Sequence, residues 1–283
     1  MFKHILVEHL IPLLEESNQS LSPGAKVHDA DRINALNQTF VDFCEKEQEF
    51  TTGGKSETRR ATESEIMTKI LTECSLTDLA GTLVTRGRSV GRKSVVEFGW
   101  VVGLSEDGNG QPITTTEQYF HVKYAPEGRE AAAGGETVAG KQAIFHRPAS
   151  SGIYALICNL DVYRIGLNDI TRRYVVDKTN RTARAKSLLH ALASTLLKPA
   201  GAQRNTQNPH IVNCEGVVAV SSTSLPAPTV SPLNDNYRDQ ITRVATVLNG
   251  ISSGGVAVQQ FGTLADGVSV LAGIAADLDL PGD

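Results

Sequence analysis

Four cations stand close together in residues 86–93: Arg86, Arg88, Arg92 and Lys93, interleaved with Gly87, Ser89 and Gly91. Arginine and lysine supply charge-assisted donors, and the small residues between them leave backbone amides open to a ligand, so the pattern suits phosphate. Residues 201–206 repeat the recipe, with Gln203, Arg204 and Asn205 as donors after a helix that ends at Lys198 and Pro199. Lys3 and His4 make a third basic point, in the first turn of a helix whose unpaired amides favour an anion.

Other chemistries lack their residues. Residues 135–141 read G-x-x-x-x-G-K, but Gln142 stands where a nucleotide-binding loop needs Ser or Thr for magnesium, and the stretch before it is rich in Ala and Gly rather than strand-like. Among the histidines, His4, His9, His28, His121, His146, His190 and His210, there is no H-E-x-x-H, and His4 and His9, five apart, splay on a helix rather than share a metal. Asp161 has no second carboxylate at a fixed spacing. The expectation is no catalytic residue, no metal and no cofactor.

At 283 residues, 40% hydrophobic and 20% charged, the chain can bury a sizeable core as a soluble globular protein. Its net charge of -4 is not that of a freestanding nucleic-acid binder, but it allows a basic groove on an acidic body whose other faces meet protein. Cys44, Cys74, Cys158 and Cys214 form no C-x-x-C pair and sit in apolar contexts, as free thiols in a reducing compartment do. No leader-like N-terminus and no apolar stretch long enough to span a bilayer is present, so the expected location is cytoplasmic.

The basic points need a scaffold. Helices are predicted over 2–16, 31–50 (Ile33, Leu36, Phe40 and Phe43 on one face) and from Thr62, where Thr62 and Glu65 form a capping box ahead of Ile66, Ile70 and Cys74. Residues 52–60 read as a polar linker, and 17–85 as a largely helical insertion. A strand over 95–104 places Val96, Phe98, Trp100, Val102 and Leu104 inward, with Glu97, Gly99 and Gly103 on an open face. Residues 107–150 read as a protruding hairpin, its arms near 118–124 and 142–146. A long strand follows over 152–166. A helix over 180–197 then points Leu188, Leu189, Leu192 and Leu196 inward and Arg181, Arg184 and Lys186 outward. Further elements are a strand over 211–220, a helix over 237–248 and a strand over 256–261. The order predicts an α+β protein, a single elaborated ferredoxin-like or RRM-like domain over 1–283 with an antiparallel sheet. Three basic turns on such a core suggest binding to an RNA backbone. Stacking aromatics of the RRM kind are not evident in the pattern.

Several stretches, in order, resemble one family: Phe2, Lys3 and His4; residues 74–81 (C-S-L-T-D-L-A-G); 91–100 (G-R-K-S-V-V-E-F-G-W); 151–156 (S-G-I-Y-A-L); 161–166 (D-V-Y-R-I-G); and 198–206 (K-P-A-G-A-Q-R-N-T) with Pro209 and His210. The sequence resembles the DevR-type CRISPR-associated proteins, the repeated backbone subunit of type I Cascade complexes. The resemblance implies an RRM-like palm that holds CRISPR guide RNA, copies that stack along the guide, and a thumb hairpin at about 118–146. It also implies target DNA contacted through the guide, the other Cascade subunits as neighbours, and no cleavage. Carried onto this chain, Lys3 and His4, Arg92 and Lys93, and Arg204 and Asn205 match the family's basic positions. The family's opening strand has no counterpart before Met1, so the sheet is expected to lack its central strand or to take 256–261 in that place. The competing enzyme reading, an endoribonuclease processing repeat RNA, would need His121 or His146 as general base. A structural oligomer unrelated to nucleic acid is the third.

Overall fold

The computed structural model describes residues 2–27, 29–52, 55–85, 87–104, 113, 115–123, 143–199, 210–252 and 254–282. In chain order the elements begin with α1 (Phe2–Glu16), a 3-10 turn (Pro23–Lys26), α2 (Asp29–Glu45), β1 (Glu47–Thr52), β2 (Lys55–Arg60), α3 (Glu63–Glu73) and α4 (Ser75–Ala80). Short strands follow: β3 (Thr82–Val84), β4 (Val90–Arg92), β5 (Val96–Phe98), β6 (Val102–Gly103), β7 (Thr115–Lys123), β8 (Ala143–Ser151), β9 (Tyr154–Ala155) and β10 (Cys158–Leu160). A second 3-10 turn (Val162–Arg164) leads to β11 (Leu167–Asn168), β12 (Arg173–Tyr174), α5 (Lys178–Leu197), β13 (Gly216–Ser221), α6 (Tyr237–Ser252), β14 (Val256–Phe261) and α7 (Leu264–Asp277). The protein is α+β, and its strands pair antiparallel.

The chain divides into two units. The first comprises Met1–Gly99, Ile157–Val230 and Asn236–Asp283. Its core draws on α1 (Leu6, Leu10, Leu14), α3 (Ile66, Ile70), α4 (Leu76, Leu79) and α5 (Leu188, Leu189, Leu192). Helix α5 packs against both α1 and α7. The three-and-four spacing of these residues is what lets each helix bury one stripe. Helix α1 runs through Pro12, which lies on its exposed side. Helix α3 starts with the predicted capping box: the Glu65 amide donates to the Thr62 hydroxyl, and the Glu65 carboxylate accepts from the Thr62 amide at 2.8 Å. Of the face predicted for α2, Leu36 and Phe40 are buried and Phe43 is half-buried, while the Ile33 side chain lies outside the described residues.

Four expectations are corrected in this unit. Residues 52–60 are largely strand rather than linker: β1 and β2 pair from Glu47↔Arg60 to Thr52↔Lys55, and α2 ends at Glu45 to make room. The strand predicted over 95–104 does not continue: β5 stops at Phe98, and Trp100 is 92% exposed rather than in the core. The strand predicted over 152–166 breaks similarly. Only β10, paired with β5 from Cys158↔Phe98 to Leu160↔Val96, belongs to this unit before the chain turns at Val162–Arg164. Arg181 and Arg184 are buried, not outward. Arg184 finds the Asp78 carboxylate at 2.8 Å, and the Arg181 guanidinium lies over the Tyr174 ring, 3.6 Å from its centre, while donating to the Pro281 carbonyl. Period alone put these arginines on a polar face, and buried partners on distant segments reversed that.

Residues 256–261 do form a strand, but β14 pairs with β13, from Gly216↔Phe261 to Ser221↔Val256. Every ladder among the described residues joins only two strands, and none links β5–β10 to β13–β14. The second unit (Trp100–Leu156, Ser231–Asp235) holds β6 paired with β9 (Val102↔Ala155, Gly103↔Tyr154) and β7 paired with β8, from Thr115↔Ser151 to Lys123↔Ala143. Residues 124–142, including the G-x-x-x-x-G-K segment, lie outside the described residues, as do the side chains of His121 and His146. No helix among the described residues is long and apolar enough to cross a membrane.

Candidate nucleic-acid interface

The basic segment is a β-hairpin rather than a loop: β3 and β4 pair from Thr82↔Arg92 to Val84↔Val90. Its bend needs Gly87, whose φ of +72° is strained for other residues and where a Cβ would lie 2.7 Å from the Cys44 carbonyl oxygen. Along β4 burial alternates, with Val90 and Arg92 inward and Gly91 and Lys93 outward. That period of two assigns adjacent cations opposite fates.

Arg92 is a core residue. Its Nη2 donates to Asp78 Oδ1 (2.7 Å) and the Arg164 carbonyl (2.6 Å), Nη1 to Asp169 Oδ2 (2.8 Å) and the Leu167 carbonyl (3.0 Å), and Nε to the Asp78 carbonyl (3.3 Å). All of the donors a guanidinium has are thereby engaged. Asp78, fully buried, also accepts from Arg184 Nη1 (2.8 Å) and the Gly166 amide (2.9 Å). Arg164 joins the network through Asp169 (3.0 Å) and reaches the carbonyls of Lys93 (3.2 Å) and Ser94 (3.3 Å). Burial raises the Asp169 carboxyl, but the hydrogen bonds and charges of Arg164 and Arg92 prevail and hold it below its ordinary range. Arg92 is therefore not presented to a ligand. Removing one member of such a buried pair costs about 3–5 kcal/mol, because the other charge is left unpaired.

Lys93 is exposed, and its ammonium lies 2.7 Å from Glu97 Oε1 on the open side of β5. Hydrogen bonding to Glu97 holds Lys93 above its ordinary pKa. Lys3, on α1, feels the same carboxylate: burial holds its ammonium below the usual range, and the Glu97 charge pulls it the other way. The α1–β5 contact that brings them together includes the Phe2 and Phe98 rings, with centroids 5.9 Å apart. Lys93 thus forms the ion pair with Glu97, and Lys3, ninety residues away in sequence, feels the charge of the same carboxylate. His4, one residue on, is exposed, as is Arg88 in the β3–β4 bend. Arg86, Gln203, Arg204 and Asn205 lie outside the described residues. Glu97 and the exposed ring of Tyr163 were not among the predicted site residues. The alternation of the strand placed Glu97 on the open face, but nothing in the pattern marked it as a shared partner.

No group of three His, Cys, Asp or Glu side chains suited to a metal ion occurs among the described residues. All four cysteines are free. Cys44 and Cys74 are buried, and burial pushes the half-buried Cys158 thiol up to about 12. An exposed cation paired with a displaceable carboxylate, on a strand packed against the helix that begins with Phe2 and Lys3, is suited to exchanging that carboxylate for an external anion.

No curated protein matches the chain. Residues 1–242, which take in α1, the β3–β4 hairpin, β5, the Val162–Arg164 turn and α5, match the family described as CRISPR-associated negative auto-regulator DevR/Csa2. The chain belongs to the DevR/Csa2 family of CRISPR-associated proteins.

Proposed function

We propose that this protein is a non-catalytic, guide-RNA-binding backbone subunit of a type I Cascade surveillance complex, acting in the cytoplasm in antiviral defence. Several copies stack along one CRISPR guide, each adding an RRM-like palm and a thumb formed around the β7–β8 hairpin. Target DNA is met through the guide, and the other Cascade subunits flank the array. The observation that carries the reading is the exposed Lys93–Glu97 pair, with Lys3 under the charge of the same carboxylate, in a chain of a CRISPR-associated family. A phosphate arriving there takes the place of Glu97 at the Lys93 ammonium, with the charge of Lys3 in support. The same family of contacts would extend to His4, Arg86, Arg88, Gln203, Arg204 and Asn205.

The test is anisotropy of a labelled single-stranded RNA over a salt series. Binding is expected to be largely independent of sequence and to weaken steeply with salt. Absence of binding at low salt would sink the reading. Incubation with repeat RNA separates the enzyme alternative: specific cleavage lost in His146→Ala would favour an endoribonuclease.

A further inference from the structure

The segment Asp161, Val162, Tyr163, Arg164, Ile165, Gly166 forms a 3-10 turn whose residues divide sharply by burial. Ile165 and Arg164 are buried and Val162 packs against the core, but the Tyr163 side chain is 61% exposed. The backbone beneath that ring is fixed from several sides. The Tyr174 hydroxyl donates to the Tyr163 carbonyl (2.9 Å), the Arg164 and Ile165 amides close the turn onto Asp161 and Val162, and the Asp161 amide donates to the Val95 carbonyl (2.9 Å). Arg164 ties the turn to the carbonyls of Lys93 and Ser94. The backbone that carries the ring is therefore fixed beside the segment that carries the exposed Lys93, and the ring itself is not needed by the core.

We propose that Tyr163 is a base-stacking residue of this interface: an unpaired nucleobase of single-stranded RNA lies on its ring while the backbone phosphate sits at Lys93. The inference rests on the RNA-binding reading above. An aromatic face on a rigid turn beside a cation is the combination that single-strand binders use, because every base offers a π-face and every nucleotide a phosphate. Lys93 supplies the positive charge on the neighbouring segment, where the carboxylates of Glu97 and Asp161 act on it.

The experiment uses the full chain and two labelled oligonucleotides of equal length, single-stranded RNA and its abasic counterpart. Tyr163→Ala is expected to weaken binding of the RNA about 5- to 150-fold, the range for losing one stacked base. Tyr163→Phe retains the ring and the affinity, and the abasic strand binds wild type and Tyr163→Ala alike. An unchanged melting temperature checks that Tyr163→Ala folds. If Tyr163→Ala binds RNA as wild type does while Lys93→Ala weakens both strands, stacking is wrong and the RNA reading stands. If neither strand binds wild type, both fail. If Tyr163→Ala leaves RNA affinity intact but reduces the sedimenting size of the protein, the ring serves a protein contact and the proposal is overturned.

Discussion

Arg92 and Lys93 are neighbours in sequence with opposite work, and they separate by experiment. Arg92→Ala strands Asp78 and is expected to cost about 3–5 kcal/mol in a denaturant titration. Arg92→Lys rescues little, because one ammonium cannot reproduce five donors in a plane. Lys93→Ala touches only an exposed pair, so stability should hold while RNA affinity falls and the salt slope shrinks by about 0.7, one phosphate contact on a single strand. A double variant at 92 and 93 would confuse unfolding with loss of contact. Glu97→Gln removes the internal competitor for both lysines. It should tighten RNA binding at low salt, and unchanged or weaker binding would show that Glu97 does not compete with phosphate. At this scale the sequence revealed which residues were basic but not which were spent. The interleaved glycines made 86–93 look like a loop, and the β-strand alternation that buries Arg92 emerges only once Asp78 and Asp169 are known to lie behind it.

The capping box of α3 was legible because every part of it lies within four residues. Thr62→Ala should cost roughly 1 kcal/mol. Glu65 also takes Arg59 Nη2 at 2.8 Å, and chiefly that hydrogen bond, with the cap contacts, depresses its pKa to about 2 from an ordinary 4.5. A depressed acid stabilises the fold fully above its unfolded pKa and loses that contribution as pH falls through the folded one. Acid titration of stability should therefore show a component between about pH 4.5 and 2 that Glu65→Gln removes. The β1–β2 pair was not legible: its strands are made of Glu, Gln, Thr, Lys, Ser and Arg, with Phe50 the one large apolar residue, so no alternation marks it. Elements past residue 242 are structural as well. Leu271, Ala275 and Leu280 are in the core, and β14 is the ladder partner of β13.

For the molecule as a whole, the α+β class followed from the order of apolar patterns, but the single sheet did not. Among the described residues strands pair two by two, and which edges meet is decided by contacts between distant segments that periodicity does not encode. The division into units is similarly hidden in sequence, since each is assembled from separate stretches. It makes a prediction nonetheless. The first unit's chain leaves at Gly99 and returns at Ile157, and the Gly99 amide donates to the Ile157 carbonyl at 2.8 Å. Replacing residues 100–156 by two or three glycines should preserve cooperative unfolding of the remainder while abolishing stacking of copies along RNA. Loss of cooperativity would show that the first unit cannot fold alone. One further consequence follows from Trp100, the only tryptophan in the chain, left almost wholly in solvent. Its emission in the native protein should already be that of an indole in water, so fluorescence will be nearly blind to denaturation. The same chromophore becomes a built-in reporter of association: any partner that covers the second unit shifts its emission to the blue, with no label attached.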